Sequence, residues 1–342
     1  MPGVTSNVIV GARAPRTEIV EVDGGMEVRV AEFGPRWLSV PVAPTFPLWV
    51  RRTEADLVHV HMPNPLGEAA ALLAARGRPM VASYHADIVR QARFEPAYRP
   101  LLDACLRRSK AVIAGSRGIA ETSPALRRHL SKINVIPYGV DVERYRADAV
   151  SPERRADLRR RYGEPLVITV GRLVYYKGFE HLVAAARGLE ASLVIVGGGA
   201  ERQRLETLVQ DAPNVHLAGE LDEPDLVAHL AAADCFALAS TSRAESFGIA
   251  VAEAQAMSLP SVVTDTGSGT VEAVEDGVTG LVVPPRDAGA LRGALRRLLA
   301  DDELRRAMAA AARDRAVARH SLAARAQEMR ELYERVIASG PG

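Results

Sequence analysis

Short unbroken apolar runs alternate with segments of helical period along most of the chain. In the front half, apolar runs at 55–61 (ADLVHVH), 79–85 (PMVASYH), 111–114 and 135–137 predict strands. Apolar, Ala- and Arg-rich helices are predicted between them near 66–76 and 95–108. The back half repeats the alternation more cleanly, with strands at 166–170, 192–196, 214–217, 235–239 and 261–264 and helices at 178–188, 200–210, 223–232, 248–257 and 287–300. Wholly apolar segments such as LVITVG and LVIVG suit strands buried on both faces, hence parallel sheets covered by helices. VDGGMEV, with Gly24 and Gly25, predicts a hairpin turn between short alternating strands. The polar stretch YRADAVSPERR near 147–152 carries no strand and marks a boundary, after which a helix over 151–161 leads into the second sheet. From about Asp302 onward the chain reads as helix, more than a doubly wound domain needs for its own sheet. The expectation is an α/β protein of two Rossmann-like doubly wound domains, 1–148 and 149–322, facing across a cleft at the carboxyl ends of their strands. A terminal helix over 323–342 would pack back toward the first domain.

Composition narrows the function classes. A length of 342 residues suffices for two sizeable cores, and 48% hydrophobic with 25% charged residues excludes a disordered chain. No apolar stretch approaches the ~18–20 residues that cross a bilayer, and the opening MPGVTSNVIVGARAP lacks the blocks of a secretory signal. Cys105 and Cys235 lie far apart in separate apolar segments and form neither a disulfide framework nor a metal knuckle. These readings predict a soluble, cytoplasmic protein. A net charge of +1 argues against a general nucleic-acid binder. Residues 1–148 nevertheless carry 20 basic against 15 acidic side chains, the remainder 23 against 27. Either the front half is drawn to an anionic partner, with peripheral association at the inner membrane face, or the split is scatter. Arginine is the default cation, so the three lysines Lys110, Lys132 and Lys177 stand out.

The segment 242–257, SRAESFGIAVAEAQAM, places Glu245 just after a predicted strand and Glu253 inside the helix that follows. Phe247 and Gly248 would open that helix with Ser246 as N-cap, and Glu253 would lie roughly 9 Å along its axis at ~1.5 Å per residue. Two carboxylates would then flank a helix start whose free N–H groups attract an anion. A nucleoside diphosphate sugar, with hydroxyls at both ends and phosphates between, suits that arrangement; the alternative is a dipole-stabilised glutamate and an unrelated surface one. Upstream, Gly171-Arg172 and Lys177-Gly178 place two cations in a strand-to-helix connection, where they could hold a diphosphate or form a solvated loop. Gly197-Gly198-Gly199 lacks the third glycine of a dinucleotide fingerprint, since Arg202 stands there, and reads as a tight turn. His59 and His61 alternate on one strand face and suit packing, acceptor contact or, lacking an evident third ligand, least of all a metal. His129, His181, His216, His229 and His320 belong to no constellation and read as surface or packing residues.

GRLVYYKG, VIVGGGAERQRLE, ESFGIAVAEAQAM with its two glutamates eight positions apart, and DGVTGLVVPPRDAGAL together resemble the retaining GT-B glycosyltransferases of family 4. HVHMPNPLGEAAALL, SYHADIVRQ and INVIPYGVD resemble acceptor-side segments of that family, so the likeness spans nearly the whole chain. It implies that Arg172 and Lys177 grip the donor diphosphate and stabilise it as leaving group, with Glu245 near the transferred sugar and His85 facing the sugar–phosphate bond. On the same likeness the donor is held by Gly171, Gly219, Glu220, Leu221, Phe247, Gly248, Ile249 and Glu253, the last on the ribose hydroxyls, and His61, Asn64 and Asp87 lie on the acceptor side. The resemblance implies no cofactor and no essential metal. The donor would be a UDP-, GDP- or other nucleoside diphosphate sugar, and the acceptor a carbohydrate or lipid-linked one. Front-face displacement would retain the anomeric configuration. Other readings are a donor-binding remnant without turnover and a sugar-nucleotide 2-epimerase. Family members begin with a strand, a Gly-Gly loop and a helix, whereas this sequence starts at what resembles their second strand. Either about 30–40 residues, one β–α unit, are missing from the front, or SNVIVGA takes the central slot of the first sheet.

Overall fold

Alternation of exposed and covered side chains gives the front of the chain a small sheet of its own. β1 (Ser6–Ala12), β2 (Glu18–Val22) and β3 (Gly25–Ala31) lie in the order β1-β3-β2. β2 and β3 form the expected antiparallel hairpin, and β1 pairs with β3 in parallel. After α1 (Phe46–Arg52), the apolar runs become β4 (Val58–Met62), β5 (Met80–Tyr84), β6 (Ala111–Ala114) and β7 (Ile133–Val135), a parallel sheet in that order. Between them run α2 (Pro65–Ala74), α3 (Glu95–Arg108) and α4 (Arg117–Thr122). β5 and β6 are buried at every position, which explains their lack of alternation. In this computed structural model residues 3–36, 40–75, 77–88, 92–267 and 269–340 are described. Arg76, the expected end of the second helix, and residues 89–91 of SYHADIVRQ lie outside them.

The second half folds as α5 (Pro152–Tyr162), β8 (Leu166–Val170), α6 (Phe179–Ala186), β9 (Ser192–Val196), α7 (Arg202–Leu208), β10 (Val215–Gly219), α8 (Glu223–Ala232), β11 (Cys235–Leu238), α9 (Ile249–Ala256), β12 (Ser261–Thr264), α10 (Thr270–Ala273), β13 (Gly280–Val283), α11 (Ala288–Ala300), α12 (Asp302–His320) and α13 (Leu322–Ala338). The strands make one six-stranded parallel sheet in the order β10-β9-β8-β11-β12-β13. Its helices start where sequence chemistry directs: Ser151, Asp222, Asp287 and Asp301 each accept a backbone N–H from the first turn, and proline follows the first two caps by one or two positions.

Two expectations are corrected. The chain divides into two compact units, Met1–Ile136 with Arg325–Gly342 and Pro137–Ala324. The boundary thus precedes 147–152, because Val140, Val142 and Tyr145 are buried in the second unit's core with Leu158, Val194 and Val251. The polar stretch at 147–152 is a surface passage within that unit. SNVIVGA does not occupy the centre of the first unit's larger sheet; it is an edge strand whose partner is the hairpin strand β3. β13, four residues long and starting just past the turn at Gly277, was not anticipated. α13 contributes Leu332 and Val336 to a cluster with Val81, Ala111 and Ile113 of the first unit.

Candidate active site

In the second unit the chain works outward from β8 to β10, then returns to the other side of β8 as β11. Loops leaving β8 and β11 at their carboxyl ends therefore diverge from a switch point, the place where open parallel sheets bind ligands. Lys177 follows β8, Glu245 follows β11, and their Nζ and Oε2 atoms lie 2.5 Å apart. Both side chains are buried, at 9% and 8% exposure, so the pair is shielded from solvent. Ser240 Oγ lies 3.4 Å from the same Glu245 oxygen and donates weakly to it. Thr241 N–H donates to the Tyr176 carbonyl at 2.8 Å, lacing the two loops together beneath the pair.

Glycines let these loops approach. Gly178 (φ +65°) lies so close to Ala239 that a Cβ there would sit 2.0 Å from its carbonyl oxygen. A Cβ on Gly197 (φ +135°) would sit 2.1 Å from the Gly171 carbonyl. Gly171 in turn has the Lys177 side chain against its open face, where a Cβ would come within 3.3 Å of Nζ. The expected tight turn at 197–199 thus lies against the backbone of the loop that follows β8. Arg172 is exposed, and its guanidinium makes no ion pair among the described residues. The pair and Arg172 supply one fixed and one free cation at the switch point. An ammonium carries three donors, so Lys177 can serve Glu245 and still reach phosphate oxygens.

α9 starts one residue later than expected. Its N-cap is Gly248, at φ +76°, not Ser246. Ser246 instead accepts the Gly269 N–H through its carbonyl, and its side chain bonds to the Tyr138 hydroxyl. Phe247 is buried between Tyr138 and His320, with ring centroids at 5.4 and 5.3 Å. Its side chain belongs to the core, and Ile249 is 43% exposed at the helix start. Glu253, on the fifth residue of α9, is half-buried and accepts from the Tyr145 hydroxyl at 3.1 Å. Burial pushes its carboxyl up, and the Tyr145 hydrogen bond offsets only part of that rise. On the far side, Glu220 is exposed at the end of β10 with its carboxylate over Gly198, Gly219 adopts φ +81°, and Leu221 packs against the core.

The first unit gathers three imidazoles. His59 and His61 share a face of β4 and stack with ring centroids 4.6 Å apart. His61 stacks in turn on His85, just past β5, at 5.0 Å, with His61 Nδ1 and His85 Nε2 joined at 2.8 Å. His59 is anchored at both nitrogens, to the Tyr333 hydroxyl of α13 at 2.6 Å and to Ser83 Oγ at 2.8 Å. Burial, then the neighbouring His61 and His85, holds His59 down to about 3; burial, then His61, holds His85 down to about 4; burial lowers His61 as well. Unfolded imidazoles take a proton near 6.5. Between there and the lower folded values only the unfolded chain binds these protons, so stability is full above about pH 6.5 and falls as the pH drops. Each proton contributes at most about 1.4 kcal/mol per pH unit. His59→Asn should flatten the fall in denaturation midpoint between about pH 6 and 4.5; unchanged slopes would show that His59 does not set the acid limb.

Asn64 and Asp87 do structural work in this unit. The Asn64 side chain caps α2 by accepting the Gly67 N–H at 3.1 Å, and its own N–H donates to Glu68 at 2.7 Å. Asp87 accepts from Tyr84 and Ser123 hydroxyls at 2.9 and 2.5 Å. Glu68 is fully buried, bonded to the Tyr98 hydroxyl, and was not anticipated because it reads as an ordinary first-turn acid. Among the other histidines, His129, His229 and His320 are buried, and His229 lies between Tyr162 and the Asp225 carbonyl. Among the described residues no group of three or more His, Cys, Asp or Glu side chains is set to hold a metal, and no helix is long and apolar enough to cross a membrane.

A doubly wound sheet with paired charges at its switch point, joined in one chain to a second parallel sheet, has the architecture of a two-domain α/β ligand-binding protein. The comparisons agree. A family model described as "Glycosyl transferases group 1" matches residues 150–315, and one described as "Glycosyltransferase Family 4" matches residues 3–144. O-antigen chain mannosyltransferase C of Escherichia coli is 31% identical over 255 residues, 74% of this chain and 68% of that protein. The D-rhamnosyltransferase WbpZ of Pseudomonas aeruginosa is 35% identical over 245 residues, 71% of this chain but 64% of that protein, just under two thirds of its length. The sucrose-phosphate synthase of Thermosynechococcus elongatus is similar in structure with a TM-score of 0.84 and 25% identity, over 99% of this chain and 90% of that one. The chain belongs to this glycosyltransferase family, and its fold is GT-B.

Proposed function

We propose that the protein is a retaining hexosyltransferase that moves a hexose from a nucleoside diphosphate sugar to a carbohydrate or lipid-linked acceptor. The observation that carries this reading is the buried Lys177–Glu245 pair at the switch point of the second sheet, beside a free Arg172. Arg172 and Lys177 take the diphosphate and stabilise the charge that develops on it as the glycosidic bond breaks. Glu245, held by Lys177, lies against the sugar. Glu253 takes the ribose hydroxyls, and the turn at Gly219–Leu221 meets the base. The departing phosphate oxygen accepts the acceptor's proton on the face it leaves, which retains the configuration at the anomeric carbon. The mannosyl- and rhamnosyltransferase names of the relatives, and the sucrose-phosphate synthase name of the structural neighbour, support a sugar donor and a carbohydrate-type acceptor.

Calorimetric titration with UDP and with GDP, paired with a donor-turnover assay on the same sample, tests the reading. Binding of one nucleotide together with transfer or donor hydrolysis is the expected result. Binding with neither would leave a donor-binding protein without turnover, and binding of neither nucleotide would sink the reading. We also propose contact with anionic lipid through the first unit, where exposed Arg107, Arg127 and Arg128 flank Leu130, 57% exposed. Binding to phosphatidylglycerol-containing vesicles should fall steeply with salt, and no binding at low salt would refute that contact.

A further inference from the structure

We propose that Tyr145 is a positioning residue for the donor's ribose: its hydroxyl holds one oxygen of Glu253 and so aims the other at the ribose diol. The inference rests on the ribose role given to Glu253 above. Tyr145 lies outside every motif that pointed to the donor site, in the turn that precedes α5, yet it is buried at 6% exposure with its hydroxyl 3.1 Å from Glu253 Oε1. Glu253 Oε2 makes no hydrogen bond within the described residues, and the residue is only half-buried. One oxygen is therefore fixed from the protein side while the other is open to a ligand.

The backbone around Tyr145 is fixed as well. Its N–H donates to the Asp141 carbonyl at 2.9 Å, and the Asp141 carboxylate accepts the N–H groups of Glu143 and Arg144 at 3.2 and 3.1 Å. Arg313 of α12 donates from a single Nη1 to the Tyr145 carbonyl at 2.9 Å and to the Ala256 carbonyl, at the end of α9, at 2.6 Å. One guanidinium thus ties the tyrosine's backbone to the helix that carries Glu253. A carboxylate held in this way has lost most of its rotational freedom before the ligand arrives, which strengthens the remaining hydrogen bonds it can offer.

The charges facing Glu253 give the proposal a second signature. Burial and Glu223 raise its pKa, while the Tyr145 hydrogen bond and Lys177 lower it. Glu223 is itself paired with Arg144 at 2.6 Å. Removing only the hydroxyl takes away one of the two influences that keep the carboxylate ionised, so protonation moves to higher pH. Acid then abolishes ribose recognition earlier.

The test uses the full chain and whichever of UDP or GDP it binds, with the 2′-deoxy and 3′-deoxy forms of that nucleotide, against the parent, Tyr145→Phe and Glu253→Gln. The parent should prefer the ribonucleotide. Tyr145→Phe should lose about five- to tenfold for the ribonucleotide, as expected for one ordinary hydrogen bond, and little for the deoxy forms. Its acid limb of binding should shift upward, and its melting temperature should match the parent's because the ring is retained. An equal loss on ribo and deoxy ligands, or no loss on either, overturns the role of Tyr145 while leaving that of Glu253 intact. A parent and a Glu253→Gln variant that both ignore the ribose hydroxyls would instead remove the ribose assignment, and this proposal with it.

Discussion

Alanine in place of Lys177 is expected to lower kcat by about 10²-fold or more, the usual consequence of losing a donor that stabilises developing charge. The geometry adds a complication. Lys177 is the partner of a buried carboxylate, and removing one member of a buried pair destabilises a protein by about 3–5 kcal/mol because the other charge is left uncompensated. A fall in activity could then reflect a loosened loop. Combining Lys177→Ala with Glu245→Gln separates the two causes. The double variant should recover most of the melting temperature lost in the single one, since no bare carboxylate remains buried, and it should recover none of the turnover. Parent-like kcat in either variant would take the lysine out of the reaction.

Gly178→Ala is expected to damage both stability and nucleotide binding. The new methyl group would sit 2.0 Å from the Ala239 carbonyl oxygen and 2.9 Å from Thr241 Cγ2, and at φ +65° the residue also carries the strain of a left-handed backbone. That strain alone costs roughly 1–2 kcal/mol. Relieving the clash requires the loops after β8 and β11 to part, which draws Lys177 away from Glu245. Gly277→Ala is the matching control, because φ is +76° there and nothing lies within 4 Å of the added carbon. We expect the Gly178 variant to lose at least twice the stability of the Gly277 variant and about tenfold in nucleotide affinity. Equal losses would mean that the two loops yield easily and that their close approach does not build the site.

The buried strands were the legible part of the fold. LVITV, SLVIV, AVIA and SVVT appear with the ends that their apolar runs suggested, because strands covered on both faces have no reason to interrupt hydrophobicity. Polarity misled at 147–152, where an exposed passage resembled a linker although its neighbours Val140, Val142 and Tyr145 are core. The start of α9 misled as well. Serine is the commoner cap, but glycine takes at least cost the left-handed turn that sinks Phe247 into the core before the helix begins.

Side-chain partnerships were less legible than positions. The rarity of lysine drew attention to Lys177, and the E-x₇-E spacing to Glu245, yet nothing in the spacing joins those two to each other. His59 and His61 were placed on one face by alternation alone, while the rest of their column arrives from elsewhere: His85 from 24 positions beyond His61, Tyr333 from 274 beyond His59. Tyr145 reaches Glu253 across 108 positions. Such contacts are set by strand order and helix return, which a linear pattern does not encode.

The first unit's core is completed by residues from the far end of the polypeptide, through Leu332, Val336 and the Tyr333 hydroxyl on His59. Neither a fragment ending at Ile136 nor one beginning at Pro137 respects the native division: the former would expose apolar surface around Val81 and Ile113, and the latter would carry an orphaned amphipathic tail. Isolating the first unit for study therefore calls for a circular permutant that joins 325–340 ahead of residue 3, or for supplying that helix as a separate peptide.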